Sequence, residues 1–178
     1  WTFDRLFQEE LFVGAIHDPS CGRGNVVQSA RAAGYVATGS DIASSIDRGN
    51  PEAYPLRDFM QVPEDVRFAN IVSNPPFNLC DPRGQPDRCF VRKALRQTDG
   101  KVAFLLPTVW VNARSWLRQT PLYRVWWLTP RPSIPPRRLL QDGAKASGGT
   151  KDFMIMVWFN GYDGPPTFKW LHRDEGAR

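Results

Sequence analysis

The stretch Ile71-Val72-Ser73-Asn74-Pro75-Pro76-Phe77 carries the clearest structural signal in the sequence. Its β-branched start predicts the end of a buried strand, and the strand stops there because neither proline has a backbone N–H to donate. Each proline also favours an extended conformation of the residue before it. We therefore predict a stiff turn that displays the Asn74 amide, free backbone carbonyls and the Phe77 ring. Such a turn suits the binding of an amino group on a flat ring, although an ordinary Pro-Pro loop has the same composition.

Length and composition indicate one globular domain. The chain has 178 residues, of which 42% are hydrophobic and 23% charged, ordinary values for a domain with its own core. We predict a single domain over residues 1–178, with a short Pro/Arg/Gly-rich insertion at about 130–150, present as a monomer or weak dimer. No apolar run approaches the roughly 20 residues that a membrane-spanning helix needs, so we expect no membrane partner.

The cysteines favour a reducing compartment. Cys21, Cys80 and Cys89 form an odd and sparse set, which argues against a disulfide framework. We therefore expect a cytoplasmic protein. No Cys-x-x-Cys pair occurs, and His17 and His172 lie far from each other in the sequence. We expect no metal site.

Charge is unevenly distributed along the chain. Residues 1–82 carry 6 Lys/Arg and 11 Asp/Glu, residues 83–138 carry 12 and 2, and residues 139–178 carry 5 and 5, which together give the net charge of +5. A basic central block interleaved with aromatic residues favours a polyanionic partner such as nucleic acid. A solvated basic surface is the plain alternative.

Hydrophobic periodicity predicts alternating helices and strands. Helices are predicted over 1–12, 26–33, 89–97 and 112–120, with Thr2 as a possible N-cap of the first. Strands are predicted over 13–18, 35–42, 68–73, 101–107, 124–129 and 152–159. This alternation favours an α/β, doubly wound and mostly parallel sheet. The last two of these strands predict an antiparallel hairpin at one edge.

A glycine-rich turn follows the first predicted strand. It has the sequence Asp18-Pro19-Ser20-Cys21-Gly22-Arg23-Gly24, and its two glycines would let the backbone approach a ligand closely. It lacks the third glycine of the dinucleotide fingerprint and the Gly-Lys-Ser/Thr of a P-loop. An acid before the glycines favours a cationic ligand, although Asp18 could simply cap the following helix.

Two further acids follow later predicted strands. Asp41 lies at the tip of the second strand, where a carboxylate can accept both hydroxyls of a ribose. Asp58-Phe59 is placed after the third strand and offers an acceptor for an exocyclic amine and a ring for a purine. Asp41 could instead begin a turn and Phe59 could belong to the core. Because ligands of doubly wound sheets bind at the carboxyl ends of the strands, these residues and Asn74 form a candidate site.

These motifs resemble those of class I S-adenosylmethionine-dependent methyltransferases, and within them the N6-adenine DNA methyltransferases of small phage type. The residues that carry the resemblance are Asp18-Pro19-x-x-Gly22-x-Gly24, Asp41-Ile42, Asp58-Phe59, Asn74-Pro75-Pro76-Phe77 and Arg124-Val125-Trp126-Trp127. The resemblance implies a Rossmann-like fold with a seven-stranded sheet and S-adenosyl-L-methionine as cofactor. The sequence departs from the family pattern in two ways: Asn74 stands where aspartate is common, and a full target-recognition domain is missing.

The resemblance also implies roles for individual residues. Those expected at the cofactor are Thr2, Asp18, Ser20, Cys21, Gly22, Gly24, Asp41, Ile42, Asp58, Phe59 and Asn74. Those expected in catalysis are Asn74, Pro75, Pro76 and Phe77. Asn74 and the Pro75 carbonyl would bind the target amine, and Phe77 would stack on the flipped base.

DNA is the partner that the resemblance implies, and a bacterial or phage-infected cell is the setting that it implies. We expect Arg131, Arg137 and Arg138 to contact phosphates, which carry no sequence information, and Trp127 to stack on a base. Three alternatives stay open: methylation of an adenine or guanine amine in RNA, methylation of a protein glutamine, and a catalytically dead module that binds nucleic acid.

Overall fold

Ten regular helices and strands make up the computed structural model, which describes residues 1–43, 53–133 and 151–174. The three α-helices are α1 (Thr2–Glu9), α2 (Asn25–Ala32) and α3 (Phe90–Gln97). The seven strands are β1 (Ile16–Asp18), β2 (Ala37–Gly39), β3 (Asn70–Ser73), β4 (Lys101–Pro107), β5 (Leu122–Thr129), β6 (Phe153–Phe159) and β7 (Thr167–His172). Short 3-10 helices cover Phe59–Gln61, Phe77–Leu79, Pro86–Arg88, Thr108–Ala113 and Ser115–Gln119. No helix in these ranges is long and apolar enough to cross a membrane.

The strands form one sheet in the order β2-β1-β3-β4-β6-β5-β7. All neighbours pair in parallel except at β6, which runs antiparallel to β4 and to β5. The predicted α/β, mostly parallel, seven-stranded sheet is therefore confirmed. The predicted hairpin of β5 and β6 exists but does not form the edge of the sheet, because β7 pairs with β5 on its outer side.

Alternation along the central strands divides the core into two layers. On β4, Ala103 and Leu105 belong to the apolar cluster that includes α1 and α2, whereas Val102, Phe104 and Leu106 belong to the cluster that includes α3. We call these two sides of the sheet the α1/α2 face and the α3 face. A strand buried on both sides explains why 101–107 is almost continuously apolar, and the two clusters confirm that helices cover both faces.

Three local predictions are wrong. The predicted helix over 112–120 is two 3-10 helices, Thr108–Ala113 and Ser115–Gln119. The expected third strand near Asp58 is a single bridge between Asp41 and Leu56, followed by the 3-10 helix Phe59–Gln61. Trp1, rather than Thr2, occupies the N-cap position of α1. β7 lacked a prediction because its alternating pattern, Thr167–His172, follows a turn rich in glycine and proline.

Candidate active site

The Asn74 turn follows the carboxyl end of β3, and hydrogen bonds to the Pro76 carbonyl restrain it. The Pro76 carbonyl accepts hydrogen bonds from Leu79 N at 2.9 Å and from Cys80 Sγ at 3.5 Å, which closes the 3-10 helix Phe77–Leu79. Pro75 is buried and Asn74 is exposed. Within the described residues, neither the Asn74 side chain nor the Pro75 carbonyl takes part in a hydrogen bond. The turn therefore presents an amide and a carbonyl that are free to bind a ligand.

The glycine-rich turn follows β1 and lies beside the end of β2. Its backbone is fixed by hydrogen bonds from Cys21 N to the Ser40 carbonyl at 3.0 Å and from Gly24 N to the Cys21 carbonyl at 2.7 Å. Gly24 has φ +78°, and a Cβ at that position would lie 2.4 Å from Tyr54 Oη. Only glycine fits there without moving the tyrosine.

A buried hydrogen-bond network joins the glycine-rich turn to the Asn74 turn. Ser73 Oγ donates to Asp18 Oδ1 at 2.6 Å and lies 2.7 Å from Ser20 Oγ. Ser20 Oγ also lies 3.4 Å from the Asn74 carbonyl, and Ser20 N donates to Asp18 Oδ1 at 3.0 Å. Ser73 is fully buried. The side chain that precedes Asn74 is thus bonded directly to the acid that precedes the glycines.

Asp18 has an unusual environment for a carboxylate. It is 1% exposed, and burial raises its pKa to about 7, with a smaller contribution from Asp41 and with hydrogen bonds from Ser73 and Ser20 N acting in the opposite direction. Both of those hydrogen bonds go to Oδ1. No described residue donates to Oδ2, so this oxygen can accept a hydrogen bond from a ligand, and a cationic ligand would favour its charged form.

Asp41 fixes the backbone around the site. Its Oδ2 accepts from Gly22 N at 2.8 Å and its Oδ1 from Ala43 N at 3.0 Å. The sequence left open whether Asp41 begins a turn or binds a ligand. The structure shows the turn.

One cavity of about 790 Å³ brings most of the predicted cofactor residues together. Its wall contains the predicted residues Thr2, Asp18, Ser20, Cys21, Gly22 and Asn74, together with others such as Phe3, Leu105 and Ser133. Residues from α1, the glycine-rich turn and the Asn74 turn therefore surround the same space. This volume lies in the usual range for a small-molecule site, roughly 300–1,000 Å³.

The adenine-side residues are arranged differently from the prediction. Phe59 is 2% exposed and packs in the core, with its ring centroid 4.7 Å from that of Phe90, so the core alternative is the one observed. Asp58 is exposed and caps its own 3-10 helix by accepting from Met60 N at 2.9 Å. Ile42 is 69% exposed, which leaves its side chain available to a ring that binds near Asp41.

The residues predicted to contact nucleic acid are separated from this cavity or already paired. Arg131 forms an exposed ion pair with Asp152 at 2.6 Å. Trp127 is half-buried on β5 and lines two other cavities. Arg137 and Arg138 lie outside the described residues. The prediction that Arg131 contacts phosphate now requires a phosphate to compete with Asp152.

Many cations of the basic block, residues 83–138, pair with acidic residues of the same chain. Among the described residues, six cations of the block form ion pairs: Lys93 and Arg96 with Glu64, Lys101 and Arg124 with Glu10, Arg114 with Asp81, and Arg131 with Asp152. Glu10 is almost completely buried, so its two cationic partners offset the cost of burying its charge. The net charge of the block therefore overstates the charge available to a partner.

Sequence reasoning missed Ser73 and Tyr54. Ser73 is the one polar residue between the apolar start of the stretch and Asn74, which is a weak signal for a buried hydroxyl at a strand end. Tyr54 lies in a segment whose predicted loop gave no reason to place it against Gly24. Both contacts join positions that are distant in sequence.

Solved structures of methyltransferases share this fold. A candidate RNA methyltransferase from Pyrococcus horikoshii aligns with a TM-score of 0.61 and 13% identity over 89% of this chain and 81% of its own. The M protein of the type I restriction enzyme EcoKI aligns with a TM-score of 0.61 and 12% identity over 97% of this chain and 48% of its own. Magnesium protoporphyrin IX methyltransferase from Synechocystis PCC 6803, solved with bound SAM, aligns with a TM-score of 0.54 and 11% identity over 87% of this chain and 74% of its own.

The architecture is therefore the Rossmann-like fold found in SAM-dependent methyltransferases. At these identities the likeness is one of fold. No protein-family profile matches the sequence, and no curated protein is significantly similar to it.

Proposed function

We propose that this protein is a DNA adenine-N6 methyltransferase that uses S-adenosyl-L-methionine. The observation that carries the proposal is the position of Asn74, which lines the same cavity as Asp18 and Gly22 and whose side chain forms no hydrogen bond with a described residue. An amine held at Asn74 would face whatever occupies that cavity. The resemblance of the Asn-Pro-Pro-Phe turn to that of the N6-adenine enzymes supports adenine as the base, and the fold supports methyl transfer.

The cavity residues fit the proposed cofactor. S-adenosyl-L-methionine has a cationic sulfonium and an ammonium group, and Asp18 Oδ2, to which no described residue donates, is a suitable acceptor at the cavity wall. Ser20, Cys21 and Gly22 would surround the methionine part, with Gly24 allowing the turn. Asp41 would bind the ribose, and Ile42 would contact the adenine ring. Asp58 could bind the adenine amine after it releases Met60 N, and Phe59 would support the site from the core.

The proposed chemistry depends on positioning. The lone pair of an adenine amine is delocalised into the ring, so the amine is a poor nucleophile. Hydrogen bonds from the amine to the Asn74 side-chain oxygen and the Pro75 carbonyl would draw the nitrogen toward a tetrahedral shape, and Phe77 would stack on the base. Positioning and electrostatic stabilisation then supply most of the rate, and the proton leaves after attack. The cofactor supplies an electrophilic methyl group.

The base must leave its stack to reach this turn, or come from a single strand. RNA is the second candidate substrate, because an unstacked adenine presents the same edge in RNA as in DNA and because one structural neighbour is a candidate RNA methyltransferase. Residues 130–150 and 78–88 are the loops proposed to contact DNA in place of a target-recognition domain.

The decisive experiment is methyl transfer from labelled S-adenosyl-L-methionine to DNA and RNA, followed by digestion to nucleosides. We expect label in N6-methyl-2′-deoxyadenosine from DNA. Asn74→Ala should reduce kcat by about 10²–10³-fold, as removal of one well-placed polar group does elsewhere, while the Kd for the cofactor changes little. Asn74→Asp should retain much of the activity, because a carboxylate oxygen can accept the same hydrogen bond.

Three results would contradict the proposal. Label in RNA alone would favour the second candidate substrate. Loss of cofactor binding in Asn74→Ala would show that Asn74 serves the cofactor rather than the amine. No transfer to either nucleic acid by a protein that binds the cofactor would refute nucleic-acid methylation.

A further inference from the structure

The outer strand β7 carries two exposed aromatic side chains. Phe168 is 63% exposed and Trp170 is 69% exposed. Because they are two residues apart on one strand, their side chains lie on the same face. Two large rings exposed side by side on an edge strand are unusual unless something binds them.

Strand register places these rings on the α3 face of the sheet. Phe168 pairs with Val125, and Trp170 pairs with Trp127. Phe168 and Trp127 line a cavity of about 830 Å³ together with methionines of β6. Trp170 and Trp127 line a second cavity of about 430 Å³. We call Trp127, Phe168 and Trp170 the β7 aromatic strip.

One end of the strip lies near the Asn74 turn. Phe153 lines the same cavity as Trp127 and Trp170, and it begins β6 opposite Pro107, at the carboxyl end of β4. Its ring centroid lies 5.9 Å from that of Phe77. Phe153, whose side chain packs in the cluster of the α1/α2 face, therefore lies between the proposed base-binding turn and the cavity that Trp127 and Trp170 share.

Two cations without an ion-pair partner among the described residues lie on the same face as the strip. Asp163 lines the larger cavity and Asp152 the smaller one. Residues 108–133 contain four arginines, of which three form ion pairs with acids. The fourth, Arg118, lines the larger cavity, is exposed, and forms no ion pair with any described residue. On the same face, the guanidinium of Arg92 stacks over the Trp116 ring at 4.2 Å. Aliphatic partners would gain nothing from these cations, whereas a phosphodiester strand would.

We infer that the β7 aromatic strip binds single-stranded nucleic acid next to the target base, an inference that rests on the proposed function. Alternate residues of a strand are about 6.6 Å apart, which lets Phe168 and Trp170 each stack on a different base of an extended strand. Stacking of this kind tolerates any sequence because every base has a flat face. Bases within a duplex are already stacked and paired, so the strip selects a single strand.

The test is binding of a short fluorescent oligodeoxyadenylate to the full chain, measured by anisotropy without cofactor. Each stacked base contributes about 1–3 kcal/mol, so Phe168→Ala/Trp170→Ala should raise the Kd by about tenfold or more. Leu11→Ala is the control, because Leu11 is 72% exposed on the loop after α1 and should leave the Kd unchanged. Urea unfolding checks that the double variant is folded, which its exposed positions favour.

The outcomes separate this inference from the proposed function. Unchanged affinity of the double variant would overturn the inference even if methyl transfer occurs. An equal loss of affinity for the matching duplex would overturn single-strand selection. A shift from dimer to monomer on sedimentation, with unchanged oligonucleotide affinity, would assign the strip to self-association instead. The expected loss in a protein that transfers no methyl group would support the strip and refute the proposed function.

Discussion

The β1–β3 side of the sheet and its β5–β7 side differ in which kinds of side chain they bury. At the β1–β3 side, polar side chains are buried and bonded to one another, as with Ser73, Asp18 and Ser20. At the β5–β7 side, apolar rings such as Phe168 and Trp170 are exposed. Substitutions at the β1–β3 side should destabilise the protein, because a buried acceptor that loses its hydrogen-bond donor costs free energy. The second side can lose a ring with little effect on stability.

The largest expected effect is a difference in pH dependence that originates at Asp18. The pKa of Asp18 is raised to about 7 in the folded protein, so its protonated form stabilises the fold at low pH. That contribution is lost as the pH rises from about 4 to about 7, and it amounts to roughly 3–4 kcal/mol. Asp18→Asn lacks this titration but keeps an oxygen acceptor for Ser73. The free energy of unfolding of the parent minus that of Asp18→Asn should therefore fall across this pH range.

A direct pH scan of the parent protein would conceal this effect. Burial and the charge of Arg57 lower the pKa of His17 to about 4, so His17 destabilises the fold as the pH falls below its unfolded value of about 6.5. The two slopes have opposite signs over the same range. His17 is present in both proteins, so the difference between their urea unfolding curves isolates Asp18. A difference that does not change with pH would contradict the buried environment assigned to Asp18.

The next effect compares two glycines that both have positive φ. A Cβ at Gly24 would lie 2.4 Å from Tyr54 Oη, whereas one at Gly34, with φ +90°, would meet nothing within 4 Å. Gly34→Ala should cost about 1 kcal/mol for conformation alone, and Gly24→Ala about 2–3 kcal/mol because crowding adds to it. Urea unfolding measures both. Equal costs would show that Tyr54 moves aside freely and that the turn is less rigid than described.

The smallest effect compares one residue from the β1–β3 side of the sheet with one from the β5–β7 side. Ser73→Ala removes a donor to the buried Asp18 Oδ1 and should cost about 1–2 kcal/mol in the free energy of unfolding. Phe168→Ala, on the exposed edge, should cost less than about 1 kcal/mol, the scale of one cross-strand pair. A larger cost for Phe168→Ala would mean that its ring supports the fold, and it would weaken the assignment of the β7 aromatic strip to binding.

Features that depend on neighbouring residues could be predicted from the sequence. The two prolines after Val72 end a strand wherever it lies in the fold, and the apolar run 101–107 is a buried strand with the predicted bounds. The order of strands and helices placed Asp18, Asp41 and Asn74 at the same edge of the sheet. Predictions failed where local patterns are ambiguous, as over 112–120, where a helix is predicted but the chain forms two 3-10 helices.

The sequence by itself determined the sheet class, the rigid Asn74 turn and the set of acids near it, because proline chemistry and hydrophobic alternation act within a few residues. The tertiary structure alone decided that Ser73 bonds to Asp18, that Phe59 belongs to the core and that β7 pairs with β5. It also decided which cations of the basic block are paired. Each of these contacts joins residues far apart in the chain, and their partners are chosen by packing of the whole sheet rather than by local preference.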